Sequence, residues 1–419
     1  MIKNKDFMLL LTGRFITNFG DSIYTIAAMS FVFALTGSSF YTGLALFLTS
    51  SAAVIQILLS PMLDRINMKR FLILSQVIQG LLLLTIPLLH MRGDLKVYHL
   101  LVLMPIISLI NQLVYPGQLA LLPKILPSKD LVRANSLFSV AYQGSDALFN
   151  ALSGFIVATA GLIAAYYINS ITFFANGILF LFLSEIVAHR NVEGRAAFTL
   201  KTHFRELREG LRLWSRPILK SLLIGVVLIN FAATGIFAAL PEFSSGSSFY
   251  GILMSASGLG VLLGAMLANS NLVKKMRLGS LYILCIFIAG AGWMSMGFAD
   301  IASLPGKTAA FCTFLSGWIF IGILNIYSQT ILQKIVPVEK IGAALSSMIG
   351  ISVALAPLGA LSAGFLSRYF QARILIVSAS VLILAVGIFW LLDQNIRGMD
   401  SLEAVGKDDP IFFSSQKSC

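Results

Sequence analysis

The chain has 419 residues, 57% of them hydrophobic and only 11% charged, with a mean hydropathy of +0.87. Soluble domains carry about 25% charged residues, so a soluble enzyme of this size is excluded. The formal net charge of +12 sits almost entirely in short segments between apolar runs, a pattern that membrane topology explains and nucleic-acid binding does not.

A bilayer core of about 30 Å takes roughly 20 apolar residues per spanning helix. Such spans are predicted at 7–34, 41–62, 71–90, 98–117, 134–158, 162–188, 217–240, 248–269, 279–299, 308–328, 342–367 and 373–392. The short charged N-terminus has no small-residue cleavage site behind it, so the first span reads as retained rather than as a removable signal. In that span Arg14, Asn18, Asp21 and Thr25 follow at spacings of 4, 3 and 4 and share one helix face. Span four contributes Ser108, Asn111, Gln112 and Tyr115. In span five, Gln143, Asp146, Asn150 and Ser153 form a second polar stripe. Asp21 and Asp146 are the two carboxylates deep within spans. A charge there costs at least about 2.5–3.5 kcal/mol, so each is a functional candidate. Faces this polar must line a cavity or a helix interface.

Between spans six and seven lies the longest interruption, 189–216. Within it Leu200, Phe204, Leu207, Leu211 and Trp214 recur at helical spacing among Arg205, Glu206, Arg208, Glu209 and Arg212, which predicts an amphipathic helix on the membrane surface. In the second half, Gly251, Gly258, Gly260 and Gly264 are expected at close helix contacts. From Asp393 onward the tail is polar and expected to be disordered. Cys285 and Cys312 lie inside apolar runs and Cys419 at the end; none has metal-ligand spacing. His90 and His99 flank spans three and four at the outer surface and read as solvated, and His189 and His203 lie in the linker. No phosphate-cradling glycine loop is present, so no cofactor and no ATP-driven chemistry is expected.

Lys and Arg in alternate segments number 24 on one side of the membrane and five on the other. The richer side is expected to be cytoplasmic, with both termini inside and an even number of spans. The halves also echo each other at an offset near 210 residues. Lys124-Ile125 pairs with Lys334-Ile335, Pro127 with Pro337, and Gly154-Phe155 with Gly364-Phe365. Ser38-Ser39-Phe40-Tyr41 recurs as Ser247-Ser248-Phe249-Tyr250. A parallel repeat of two six-helix halves follows, as in transporters that rock around a midplane site.

The 2–3 loop, Ser60-Pro-Met-Leu-Asp64-Arg65-Ile-Asn67-Met68-Lys69-Arg70, resembles the G-x-L-A-D-R-x-G-R-[KR] signature of the major facilitator superfamily. Asp64, Arg65 and Lys69 fall on its charged positions; Ser60, Asn67 and Met68 replace Gly, Gly and Arg. Asn tolerates positive φ, so Asn67 is expected to make the turn. Gly13-Arg-Phe-Ile-Thr-Asn-Phe-Gly20-Asp21 and the stretch from Leu122-Pro-Lys-Ile-Leu-Pro127 to Asn135-Ser136 are similar to the macrolide-efflux-type drug:proton antiporters, and to related lysophospholipid and siderophore transporters. Span five departs from the antiporter pattern, reading Phe149-Asn150-Ala-Leu-Ser-Gly154 where G-P-x-x-x-G belongs.

The resemblance implies an all-α polytopic membrane protein with twelve transmembrane helices in two six-helix bundles. These are residues 1–188 and 217–392, joined by the cytoplasmic linker 189–216 and followed by a cytoplasmic tail, 393–419. It implies a cavity lined by spans 1, 4, 7 and 10. That places Arg14, Asn18, Asn111, Gln112 and Tyr115 around the substrate, with Asn230, Thr234, Trp318, Asn325 and Gln329 from the second half. Asp64, Arg65 and Lys69 would form a cytoplasmic gating loop. Asp21 and Asp146 are the proton-coupling candidates, since a carboxylate that alternates between low dielectric and water can take up and release a proton; a structural pairing with Arg14 is the alternative. The expected function is proton-coupled export of an amphipathic small molecule across the cell membrane: a macrolide-like drug, another lipophilic compound or a siderophore. The alternatives are lysophospholipid movement without protons and, as a minor reading, a non-transporting sensor or scaffold. Expected partners are the small-molecule substrate, protons and membrane lipids, with no nucleic acid, no metal and a monomeric chain.

Overall fold

The computed structural model describes residues 4–63, 67–127, 130, 134, 137, 138, 141, 145–184, 217–335 and 350–400. The amphipathic stretch in the 189–216 linker, Asp64, Arg65 and Gln143 lie outside them. Among the described residues are twelve helices of eleven residues or more and no strand. They are α1 (Lys5–Thr36), α2 (Ser39–Leu63), α3 (Met68–Met91), α4 (Val97–Ile125), α5 (Asp146–Ala160), α6 (Leu162–Leu181), α7 (Pro217–Ser244), α8 (Ser247–Ala268), α9 (Leu278–Phe298), α10 (Leu304–Ile335), α11 (Ala356–Leu366) and α12 (Ala372–Leu392). Nine of these described helices are long and apolar enough to cross a membrane. With its backbone hydrogen bonds satisfied internally, a helix is the natural solution for such segments in lipid.

Local chemistry sets the helix ends. The Asn4 side chain accepts from the Phe7 N–H at the start of α1, and Gly37 ends it in the left-handed region at φ 60°. Asn67 does not take the positive φ expected of it. It has φ −67° and caps α3, its side chain accepting from the Arg70 N–H. α11 is shorter than the predicted span. A helical stretch over 350–354 is interrupted at Leu355, and α11 restarts with Pro357 at its head, because proline lacks the N–H that would continue the ladder.

The chain folds into two compact units. The first takes the described residues up to 184 together with Leu240–Gly258, the second those from 217 to 239 and from Leu259 onward. In the first unit α6 packs broadly on both α1 and α3, and α2 lies along α4. α1 and α6 approach closely at Gly13 and Gly20, where a Cβ would collide with Asn176 and Asn169 of α6. α5 meets the start of α8 at Gly154 and Gly251, backbone on backbone. In the second unit α9 packs on α10 and α12. Gly260 and Gly264 of α8 sit against Trp318 and the Ile319 carbonyl of α10.

The tail does not begin as an irregular segment at residue 393. Asp393 caps a helical turn, Gln394–Arg397, and the Asp400 and Met399 carbonyls accept from the Leu278 and Gly279 N–H groups at the head of α9. Ile396 and Met399 are fully buried. Two apolar anchors therefore outweigh the polar composition of the segment, and the Asp393 carboxylate accepts from the Ser221 hydroxyl of α7.

Candidate functional site

The site is built in the first unit from α1, α2 and α4. Arg14 and Asp21 lie two turns apart on α1, the spacing that puts them on one face. Arg14 is buried, and its guanidinium is held by several partners. Its Nε donates to Asn18 Oδ1 at 2.8 Å, and its Nη2 bonds the same oxygen. It stands 5.2 Å from the centroid of the Tyr115 ring, within cation–π range. Its Nη2 also lies 3.7 Å from Asp21 Oδ2. Asn111 of α4 donates from Nδ2 to the other Asp21 oxygen at 2.7 Å. The Asp21 side chain is 27% exposed against 3% for Arg14, so the carboxylate faces open space while the cation is enclosed.

That space is a cavity of about 280 Å³. Arg14, Asp21, Tyr24 and Thr25 line it from α1, and Ser108, Asn111, Gln112 and Tyr115 from α4. Thr49 and Gln56 line it from α2, with Leu46, Met29 and Met104 as apolar wall. A charge pair with neutral amides and hydroxyls on one side and thioethers on the other suits an amphipathic guest. Burying a pair like Arg14 and Asp21 is expensive unless further hydrogen bonds complete it, and Asn18, Asn111 and Tyr115 supply the added contacts.

Asn18 does not line the cavity. It stands behind Arg14, and its Nδ2 donates to the Ala141 carbonyl and, at 3.0 Å, to Ser145 Oγ. Its role in the structure is to hold the guanidinium. Asp146 is the first residue of α5; its side chain and that of Gln329 are outside the described set. Lys69 lies in the first turn of α3. In the second unit Asn230 donates to the Val226 carbonyl of its own helix at 3.0 Å. Thr234 donates to the Ala356 carbonyl at 2.6 Å, at the head of α11. Trp318 stacks on Phe237 with centroids 5.5 Å apart and packs on Trp293, and Asn325 is exposed. Sequence reasoning missed Tyr24, Thr49 and Gln56. The 7-residue spacing of Thr49 and Gln56 on one α2 face was the available signal.

A second polar region lies behind the cavity. Asn176 of α6 donates to Thr17 Oγ1 of α1 at 2.7 Å and to Gln76 Oε1 of α3 at 2.9 Å. All three residues are buried. These amides fasten α1 in the rotation that turns Asp21 toward the open side.

Several known proteins are similar. In Bacillus subtilis (strain 168), the uncharacterised MFS-type transporter YfiS is 26% identical over 412 residues, covering 94% of each chain. The MFS-type transporter YvqJ of the same organism is 24% identical over 355 residues, 81% of this chain and 80% of that one. Among solved structures, a point mutant of the nucleoside transporter NupG superposes with a TM-score of 0.75 at 14% identity, covering 92% of this chain and 98% of that one. A bacterial homologue of the human lysosomal transporter Spinster, inward-facing and occupied, gives 0.70 over 92% and 95% at 14% identity. At such identity these likenesses speak for the fold alone. Residues 10–249 match the sequence pattern of the Major Facilitator Superfamily, and with more than half of its length so matched, the chain belongs to that superfamily.

Proposed function

We propose that this secondary transporter of the Major Facilitator Superfamily exports an amphipathic small molecule across the cell membrane by alternating access, in exchange for protons. The observation that carries the reading is Asp21. It is a carboxylate deep in a span, half-open to a cavity of mixed polarity and balanced between a buried cation and an amide donor. Protonating Asp21 removes its attraction for Arg14, and a guest that approaches the carboxylate competes with that proton. Such competition is what exchange requires. Asp146 is the second candidate carrier. Asn230, Thr234, Trp318, Asn325 and Gln329 are the proposed lining from the second half. Macrolide-like drugs, other lipophilic compounds and siderophores are the cargo classes that the antiporter-like motifs suggest.

The surplus of Lys and Arg on alternate segments supports cytoplasmic termini, and Asp64, Arg65 and Lys69 are the proposed cytoplasmic gate. The proposed carrier is a monomer. The test is a proteoliposome assay with a radiolabelled macrolide and an imposed pH gradient. Accumulation that needs the gradient supports exchange. Gradient-independent movement of a labelled lysophospholipid would replace this reading with a lipid transporter, and no movement of either would replace it with a sensor.

A further inference from the structure

Beyond the cavity the first unit contains a second, narrow crevice. Leu83 and Ile86 of α3, Leu100 and Ile107 of α4, and Tyr166 of α6 line this crevice. As it stands it has no room for a water molecule. Two residues, Tyr24 and Met104, line both this crevice and the main cavity, so they form the wall between them. Tyr24 is 7% and Met104 3% exposed. The wall is soft on the Met104 side, since an unbranched thioether re-packs at little cost.

The crevice is not simply apolar filling. The hydroxyls of Tyr24 and Tyr166 are both buried, and neither has a hydrogen-bond partner among the described residues. A buried hydroxyl left unpaired costs about 1–3 kcal/mol, and here the two tyrosines that carry such groups line one aliphatic slot. The other described walls of the slot are Leu, Ile and Met side chains, which offer no oxygen acceptor. Two donors around an aliphatic slot next to a polar cavity describe a subsite for a particular shape. The complementary guest has an apolar arm carrying an acceptor oxygen, an ester or a ketone, and a polar part that stays in the main cavity beside Asp21.

We infer that the Tyr24–Tyr166 crevice is an annex of the transport cavity, opened by rotation of Met104, that takes the acceptor-bearing apolar arm of an amphipathic substrate. This rests on the functional reading above for what occupies the cavity, and it adds where the apolar end goes. Met104 is the door, the two phenols are the handles, and the length of the slot sets which arms fit.

The test uses single cysteines placed in a chain whose Cys285, Cys312 and Cys419 are changed to Ser. Thr49→Cys reports the main cavity and Leu83→Cys the annex, with Ile107→Cys as substitute if Leu83→Cys does not accumulate. Hexyl methanethiosulfonate should modify Leu83→Cys measurably, though more slowly than Thr49→Cys, because a thiol in an aliphatic slot is less ionised than one in the polar cavity. The charged trimethylammonium-ethyl reagent should modify only Thr49→Cys. Adding Met104→Trp should block the Leu83→Cys reaction and spare Thr49→Cys. Persistence of Leu83→Cys labelling behind Met104→Trp would mean entry from lipid and would overturn the annex. Ethyl decanoate should slow the hexyl reagent at Leu83→Cys more than tridecane, a chain of the same length, and Tyr166→Phe should reduce that difference. Equal protection by the two compounds would overturn the role of the phenols. If Thr49→Cys reacts and Leu83→Cys does not, the annex alone fails; if neither reacts, the cavity reading itself fails.

Discussion

In the first unit, α1 is fastened to α3 and α6 by side-chain amides and hydroxyls, Asn176 bridging Thr17 and Gln76. In the second unit, one hydroxyl, that of Thr234, ties α7 to the Ala356 carbonyl at the head of α11, and two of the tightest helix contacts are made by bare backbone. Gly359 of α11 sits against the Phe231 carbonyl of α7, and Gly264 of α8 against the Ile319 carbonyl of α10, each with no room for a Cβ. The polar contacts can exchange partners as a helix shifts; the glycine contacts depend on shape alone. The amide bridge among three helices lies in the same unit as the charge pair. Polar residues in a span are thus of two kinds, those that open onto a cavity and those that lock helices, and α1 carries both on adjacent faces.

The comparison is most sharply broken at Asp21. Asp21→Asn keeps the shape but removes the charge that Arg14 and Asn111 share. Macrolide accumulation driven by a pH gradient should fall at least about tenfold at equal amounts of folded protein, the worth of a charge-assisted contact of roughly 1.5–3 kcal/mol, and the melting temperature should also drop, because the buried Arg14 loses its counter-charge. Undiminished accumulation would move the coupling to Asp146 or end the antiport reading. Gly359→Val tests the second unit. Its side chain must displace the Phe231 carbonyl, so a loss of about 1–3 kcal/mol is expected, seen as a lower yield of monodisperse protein and a lower melting point. Asn176→Leu tests the first unit's lock. Membrane hydrogen bonds average near 0.6 kcal/mol with a maximum of about 1.7, so a fall in melting temperature smaller than that of Gly359→Val is expected, with a modest loss of macrolide affinity as α1 is freed to rotate. A larger fall than that of Gly359→Val would reverse the contrast between the units.

The smallest effect is expected at the second unit's polar anchor. Burial pushes the Asp393 carboxyl up, but hydrogen bonds from Ser221 and Asn395 outweigh it and hold the group below the usual aspartate range. A carboxyl held low contributes stability above its unfolded value, near 3.9, and loses it as pH falls through the folded value. Asp393→Asn should therefore melt slightly below wild type at pH 7, and the two should converge below about pH 3. A difference that persists at low pH would mean that the anchor acts by shape.

Much of this was legible in the residues. The apolar runs mark the helices, and the spacing of Arg14, Asp21 and Thr25 marks the cavity face, because period and polarity survive the loss of all tertiary information. Asn18 shares that spacing, yet it points to the Ala141 carbonyl; a spacing of four cannot tell a lining residue from one that holds its neighbour. Tyr24 reads as an ordinary aromatic in a span, and only the packing of α3, α4 and α6 around it shows a hydroxyl left without a partner among the described residues. The 393–400 segment reads as polar because its anchors, Ile396 and Met399, are two among eight residues.

That segment also bears on the order in which the protein is made. The head of α9 is closed by carbonyls from residues 399 and 400, which the ribosome adds about 120 residues after Leu278. During synthesis the first turn of α9 must wait with its N–H groups turned to water or lipid headgroups. A chain interrupted short of residue 400 would keep that turn open as a visible mark of incompleteness, available to whatever removes unfinished membrane proteins.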